Sequence, residues 1–253
     1  MKDHVTDIVI PHVEKFAQWE ELKYALRSIH KNYKGQVRII IVGDKPKWLS
    51  KEAVYIKVPY SGKSPRLDVI QKKLAVIASD HVNEEFFWSN DDIYFINKVT
   101  YHDLCIAKVI AIDLRQKVAR IIGKSVYHDD LKATYNELVR RRMPMRNYST
   151  HLPYRYEKSK LQAMITEFDL ENVRLLPENI YFNYYHNDEL PYVLSLEETN
   201  CIAFAVNRKD PNWSAVNDQL RTKKFFNHSE AGMTPKMQDL LKNLFPEPSP
   251  WEK

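Results

Sequence analysis

Glu85-Phe-Phe-Trp-Ser-Asn-Asp-Asp-Ile-Tyr-Phe-Ile96 is the stretch on which the fold turns. Its first four residues read as a short buried strand. Ser89-Asn90-Asp91-Asp92 then interrupts the apolar run, and Ile93 to Ile96 resumes it. Two carboxylates between apolar flanks read as the carboxyl end of a strand, where open α/β sheets collect their ligands.

Upstream, the chain alternates between strand-like and helix-like segments. Asp7 to Val13 is an apolar run ending near Pro11, read as a buried strand leading into a loop. Leu22, Ala25, Leu26 and Ile29 have helical spacing within residues 19–33, and Gly35 supplies a stop. Arg38 to Val42 and Ala53 to Val58 read as further strands, and Leu67, Ile70, Leu74 and Ile77 mark a second helix. This alternation predicts an α/β fold with a mostly parallel central sheet flanked by helices. Downstream, helices are expected over 129–142, 157–168 and 237–245, and strands over 181–185 and 201–206. Residues 104–122 fit either type.

The 253 residues, 44% of them hydrophobic, suit one domain able to bury a sizeable core without staples. Five glycines make a glycine-rich phosphate loop an improbable route to nucleotide binding, and neither the P-loop nor the dinucleotide fingerprint is present. Cys105 and Cys201 lack metal-ligand spacing and read as reduced thiols of a cytoplasmic protein. No opening segment reads as a signal peptide, and no apolar run approaches the roughly 20 residues of a membrane span. A net charge of +5 accommodates an anionic substrate, nucleic acid or membrane surface without selecting among them.

Adjacent carboxylates repel each other and are costly to desolvate. Mg2+ or Mn2+ removes that penalty: each takes oxygen ligands, and Mg2+ commonly uses one or two carboxylates together with substrate phosphates. Asp91 and Asp92 are therefore the expected metal ligands beside a diphosphate. An Asx turn is the competing reading of Asn90-Asp91-Asp92.

Several blocks resemble the Stealth family of sugar-phosphate transferases and related capsule-type glycosyltransferases. Asp7 to Val13 is similar to the family's opening strand, and Glu21-Leu-Lys-Tyr-Ala-Leu-Arg-Ser-Ile29 to its ELRYSLRSI helix. Arg38 to Leu49, Phe87 to Tyr94, His151-Leu-Pro153 and Leu244 to Glu252 follow in the family's order. The opening block departs from the pattern, carrying Pro11-His12-Val13 where Trp-Val-Asp is usual. The resemblance implies a GT-A-like nucleotide-sugar fold. Residues 1–100 would form the nucleotide-sugar half and residues 101–253 a helical and mixed acceptor lobe.

The same resemblance implies a set of substrate-binding residues. His12 and Arg27 would lie near the nucleotide, Asp44 would face the base or ribose, and Arg66 with Lys72 or Lys73 would approach the donor phosphates. Asn90 would accompany the carboxylates. His151 is a candidate base for an acceptor hydroxyl, since histidine titrates near neutral pH. His228 is expected to complete the metal site, with His186 and Asp188 as rivals. Asp218 is an alternative base. Arg155 belongs with Arg140, Arg141, Arg142 and Arg146 around Tyr148, Tyr154 and Tyr156, a set that could clamp phosphate or stack on an unpaired base.

The leading expectation is a glycosyltransferase dependent on Mn2+ or Mg2+ that uses a nucleotide-sugar donor. Alternatives are transfer of sugar-1-phosphate to a polysaccharide, a phage-type enzyme glycosylating hydroxymethylated DNA in a host cytoplasm, and a non-catalytic sugar-nucleotide or nucleic-acid binding module. Donor sugar, stereochemistry and oligomeric state are not legible.

Overall fold

The computed structural model describes residues 5–62, 64–194 and 202–253. Strand β1 (Thr6–His12) leads into helix α1 (Glu21–Asn32), then β2 (Val37–Gly43) and β3 (Val54–Lys57). Helix α2 (Pro65–Ala78) follows, started by Pro65 and capped by Ser64, whose side chain accepts from the Leu67 N–H. Strand β4 (Glu85–Trp88) completes the unit predicted from the alternation.

These strands form a five-stranded sheet with β7 (Tyr154–Glu157), in the order β3-β2-β1-β4-β7. The first four are parallel, and β7 is antiparallel to β4. Strand alternation sends Ile8 and Ile10 to one face, against Leu22, Leu26 and Ile29 of α1. Val9, Ile40 and Val42 point to the other face, against Ile70 and Val76 of α2. With both faces covered, each parallel strand reads as a continuous apolar run. The chain builds outward from β1 through β2 to β3, then returns to place β4 on β1's opposite side. The carboxyl ends of β1 and β4 therefore flank the topological switch point, where such sheets open a crevice.

After β4 the chain leaves this sheet. Ile93–Phe95 (β5) does not continue β4; it starts a three-stranded sheet with β9 (Ala203–Val206) and β10 (Phe225–His228). The Asn90-Asp91-Asp92 interruption is the junction between the two sheets. The ambiguous residues 104–122 resolve into α3 (Tyr101–Cys105), β6 (Lys108–Ile110) and α4 (Leu114–Ala119). Helices α5 (Val126–Arg140) and α6 (Lys158–Glu167) lie where helical spacing predicted them.

Residues 181–185, expected as a strand, belong instead to α7 (Pro177–Tyr185), which begins with proline at its first position. Pro177, Asn179, Ile180, Tyr181, Phe182 and Asn183 are all buried, so no polar face betrays the helical period. Strand β8 (Tyr192–Leu194) pairs with β6, helix α8 (Trp213–Thr222) precedes β10, and α9 (Pro235–Leu244) packs Met237 and Leu241 into a third apolar cluster. Cys201, the start of the other late strand prediction, lies outside the described residues. Among those residues no helix is long and apolar enough to cross a membrane.

The segment after α9 returns to the first half of the sheet. Leu49 bridges to Glu252, Ser50 N–H donates to the Trp251 carbonyl, and Lys253 N–H donates to the Trp48 carbonyl. Glu252 also pairs with Arg27 of α1 at 2.7 Å, and both side chains are largely buried.

Candidate active site

The carboxyl ends of β1, β2 and β4 form the floor of the crevice. Gly43, the last residue of β2, has φ +129°, and a Cβ there would sit 2.0 Å from the His12 carbonyl oxygen and 2.8 Å from Lys72 Cε. Only glycine allows this approach. It brings the Asp44 N–H to the His12 carbonyl at 3.0 Å, and the Asp44 carboxylate accepts from the Glu14 N–H at 3.0 Å. Asp44 thus organises the loop after β1.

His12 projects from the end of β1 between two carboxylates. Nδ1 is 3.1 Å from Asp91 Oδ2, and Nε2 is 3.1 Å from Glu14 Oε2. Carboxylates only accept, so this geometry suits a ring that donates from both nitrogens. Burial works against the charge of such a ring, but the hydrogen bonds and charges of Asp91 and Glu14 prevail, and its pKa is raised above the ordinary histidine value.

Asp92 has a separate partner. His151 Nε2 lies 3.0 Å from Asp92 Oδ1 and 2.9 Å from Oδ2, while Nδ1 is 3.3 Å from the Asn90 amide nitrogen. This arrangement makes Nε2 the protonated nitrogen and leaves Nδ1 an acceptor. Desolvation opposes protonation, but Asp92 above all, with Asp91 and Glu178, raises the pKa of the ring. His151 has φ +50°, an uncommon conformation outside glycine, and its carbonyl accepts from the Asn227 side chain of β10 at 3.0 Å. The second sheet thereby fixes the backbone that aims the ring.

The ring of His151 stands between two cavities. One, of about 340 Å³, is lined by Asn90, Lys73, Trp88, Ser149, Tyr154 and Glu178 among others. A larger one, of about 800 Å³, includes Asp92, Thr150, Phe204, Asn227, His228 and Glu230 in its wall. The Nδ1 partner Asn90 belongs to the first, and the Nε2 partner Asp92 to the second. A third hollow of about 120 Å³ touches Asp91, Asp92, Glu21 and His228.

Two adjacent carboxylates offer the hard oxygen donors that Mg2+ or Mn2+ prefers. Among the described residues no group of three or more His, Cys, Asp or Glu side chains is gathered for a metal. The Asp91–Asp92 pair has the chemistry for an ion that completes its shell with water and phosphate oxygens, but such an ion would share oxygens that already face His12 and His151. His228 suits it less: Nδ1 donates to the Ser229 carbonyl at 3.2 Å, and Nε2 accepts from the Tyr94 hydroxyl at 3.0 Å. Ligation through His228 requires one of these bonds to break.

The remaining predicted residues divide by location. Lys73 lines the smaller cavity, where burial, partly offset by the charge of Glu178, lowers its pKa to about 7. Lys72 is buried and paired with Asp68 of its own helix, next to Gly43. Arg27 is taken up by Glu252 and the carbonyls of Phe245 and Pro246. Arg66 donates to the Leu170 and Val173 carbonyls and lines none of the three cavities around His151 and Asp92. Asp218 is exposed on α8, within 3.8 Å of Arg221, and is likewise outside them. Of the rival pair, His186 is buried against Glu189, and Asp188 is exposed.

The expected arginine–tyrosine clamp is not one surface. Arg140 and Arg141 bind Glu137, Arg141 also binds Glu167, Arg146 donates to the Glu189 carbonyl, and Arg155 pairs with Glu189. Tyr148 and Tyr156 are core residues.

Glu178 and Trp88 were missed. Burial pushes the Glu178 carboxyl above the ordinary range, against the pull of Lys73, Ser149 and His151. Its sequence signal was an acidic residue after proline, an ordinary helix start.

No protein-family model matches the chain. The chain is 24% identical, over 276 aligned positions, to an exopolysaccharide phosphotransferase of Nocardia farcinica; the alignment covers 94% of this chain and 54% of that protein. The chain thus spans about half the length of the curated relative it matches. The likeness supports the resemblance to the Stealth family at a coarse level only.

Proposed function

We propose that this chain transfers a sugar phosphate from a nucleotide-sugar donor to a hydroxyl of a saccharide acceptor. The observation that carries the reading is the Asp92–His151–Asn90 arrangement, which leaves one imidazole nitrogen accepting at the mouth of a cavity. The similarity to an exopolysaccharide phosphotransferase favours phosphoryl over glycosyl transfer.

His151 Nδ1 takes the proton of the acceptor hydroxyl as its oxygen attacks the phosphorus bearing the sugar. The bond from that phosphorus to the bridging oxygen breaks, and nucleoside monophosphate leaves with the electron pair. The product is a phosphodiester between sugar and acceptor. Asp92 holds the reactive tautomer of His151 and stabilises the imidazolium that forms. His12, hydrogen-bonded between Asp91 and Glu14, offsets part of their negative charge at the crevice. Asp91 and Asp92 would hold Mg2+ or Mn2+, which when bound neutralises charge on the leaving phosphate as a Lewis acid.

Product analysis tests the reading. Incubation with a panel of nucleotide sugars, a divalent cation and oligosaccharide acceptors is expected to release nucleoside monophosphate and yield a phosphodiester. The second reading, metal-dependent glycosyl transfer, is favoured by the carboxylate pair alone. Nucleoside diphosphate with a glycosidic product would establish it and overturn the first. Because Arg140, Arg141, Arg146 and Arg155 have partners within the protein, a modified-DNA acceptor is not carried further.

A further inference from the structure

Lys72 and Lys73 are consecutive on α2, yet only Lys72 has an ionic partner. Lys73 is 2% exposed, and its Nζ lies 4.2 Å from the Trp88 ring centroid and 3.9 Å from that of Tyr156. Among the described residues it makes no hydrogen bond or ion pair, and it lines the smaller cavity beside His151. Aromatic faces compensate only part of the cost of desolvating an ammonium. The ammonium is therefore a largely desolvated donor that opens on the cavity and has no protein acceptor among the described residues.

The rest of the cavity wall restricts what that acceptor can be. Glu178 is an acidic side chain in the same wall, and Ser149 and Asn90 add polar groups. A phosphate or carboxylate would satisfy Lys73 but meet repulsion from Glu178 whenever that carboxyl is ionised. A hydroxylated ring serves both: one hydroxyl accepts from Lys73, another donates to Glu178. Trp88, Tyr127 and Tyr154 supply apolar wall for the C–H faces of such a ring, and the volume is that of a small-molecule site. His151 Nδ1 and Asn90 stand at its edge.

We propose that this cavity is the acceptor subsite and holds an uncharged pyranose ring, gripped by Lys73 and Glu178, with one ring hydroxyl presented to His151 Nδ1. This assignment rests on the transferase reading above for the word acceptor; the pyranose specificity rests on the cavity itself.

Binding is tested without turnover. Methyl α-glucopyranoside, methyl α-mannopyranoside, methyl α-galactopyranoside and methyl glucuronide would be titrated into the full chain, followed by saturation-transfer NMR and calorimetry. At least one neutral glycoside is expected to bind, and more tightly than the glucuronide. Lys73→Met is expected to weaken it about tenfold, the scale of one lost charge-assisted hydrogen bond. Val69→Phe, which narrows the same cavity without touching a polar group, is expected to abolish binding. Melting curves verify that both variants fold.

No binding by any glycoside, unchanged affinity in both variants, or tighter binding of the glucuronide would overturn the assignment. Release of nucleoside monophosphate is scored separately. Glycoside binding without that release would remove the reaction and keep the saccharide pocket; release without glycoside binding would remove the pocket and keep the reaction.

Discussion

His151 Nε2 sits within 3.0 Å of both carboxylate oxygens of Asp92, across 59 residues of sequence. The pair forms because β7 runs antiparallel to β4, which brings the residues preceding Tyr154 alongside those following Trp88. A carboxylate that fixes an imidazole tautomer is a catalytic arrangement as much as an ionic one.

Replacement of that base should therefore be felt in turnover and hardly in folding. His151→Ala is expected to lower the transfer rate by about a hundredfold to ten-thousandfold. Its melting temperature should stay near that of the wild type, because the side chain is 45% exposed. Steady-state kinetics beside a melting curve checks both. Wild-type turnover in His151→Ala would remove the base from the mechanism.

Lys73 makes a prediction about stability and pH. Its folded pKa of about 7 lies far below the ordinary lysine value near 10.5. Between those values the unfolded chain binds a proton that the folded chain does not, so stability should rise with pH across that window. Below about pH 7 both states are protonated, and the full cost of the buried charge is present. One proton corresponds to a slope of at most about 1.4 kcal/mol per pH unit. Urea denaturation of wild type and Lys73→Met from pH 6 to pH 10 isolates the effect: Lys73→Met should be the more stable at low pH, the difference shrinking as pH rises. Parallel curves would contradict the desolvated lysine.

At the end of β2, Gly43→Ala should cost at least about 2 kcal/mol, since it adds left-handed strain to a backbone clash with His12. A shift of the denaturation midpoint reports it. The same change should disturb the His12–Asp91 contact, visible as a shift of the His12 ring resonances in NMR. An unchanged midpoint would mean that the β1–β2 approach is looser than described.

Arg27 separates a structural role from a nucleotide-binding one. Removing one member of a buried pair leaves the other uncompensated, and Arg27→Met should cost about 3 kcal/mol. Thermal stabilisation by UDP-glucose or GDP-mannose, whichever the wild type binds, should persist in Arg27→Met with unchanged half-saturation. Loss of the ligand response with an unchanged melting temperature would reverse the assignment.

Much of the parallel sheet was legible because β1, β2 and β4 are buried on both faces, and their apolar runs end at turn-forming residues. Asn90 to Asp92 stood out for the same reason: polar residues between apolar runs must sit at a strand end or a junction, and here they occupy both. His151 was legible from histidine's titration near neutral pH and from the resemblance carried by its neighbours Leu152 and Pro153. Three kinds of feature escaped. Helix α7 buries six of its nine residues, exposes none fully, and so lacks a clear amphipathic signature. Glu178 looks like any acidic residue in a first helical turn, because its environment is assembled from α2, β4 and β7. Arg140, Arg141, Arg146 and Arg155 are close in sequence but divide between Glu137 with Glu167 and the distant Glu189; only the Glu137 pairs, at helical spacing, are ones a linear reading could make.

The contact between Arg27 and Glu252 spans 225 residues. On a ribosome, α1 emerges with its guanidinium unmatched, and the matching carboxylate appears only after the rest of the crevice has been synthesised. The first βαβ unit therefore gains this ion pair only once residue 252 has been synthesised. The contact is thus of the non-local kind whose loop-closure entropy slows folding.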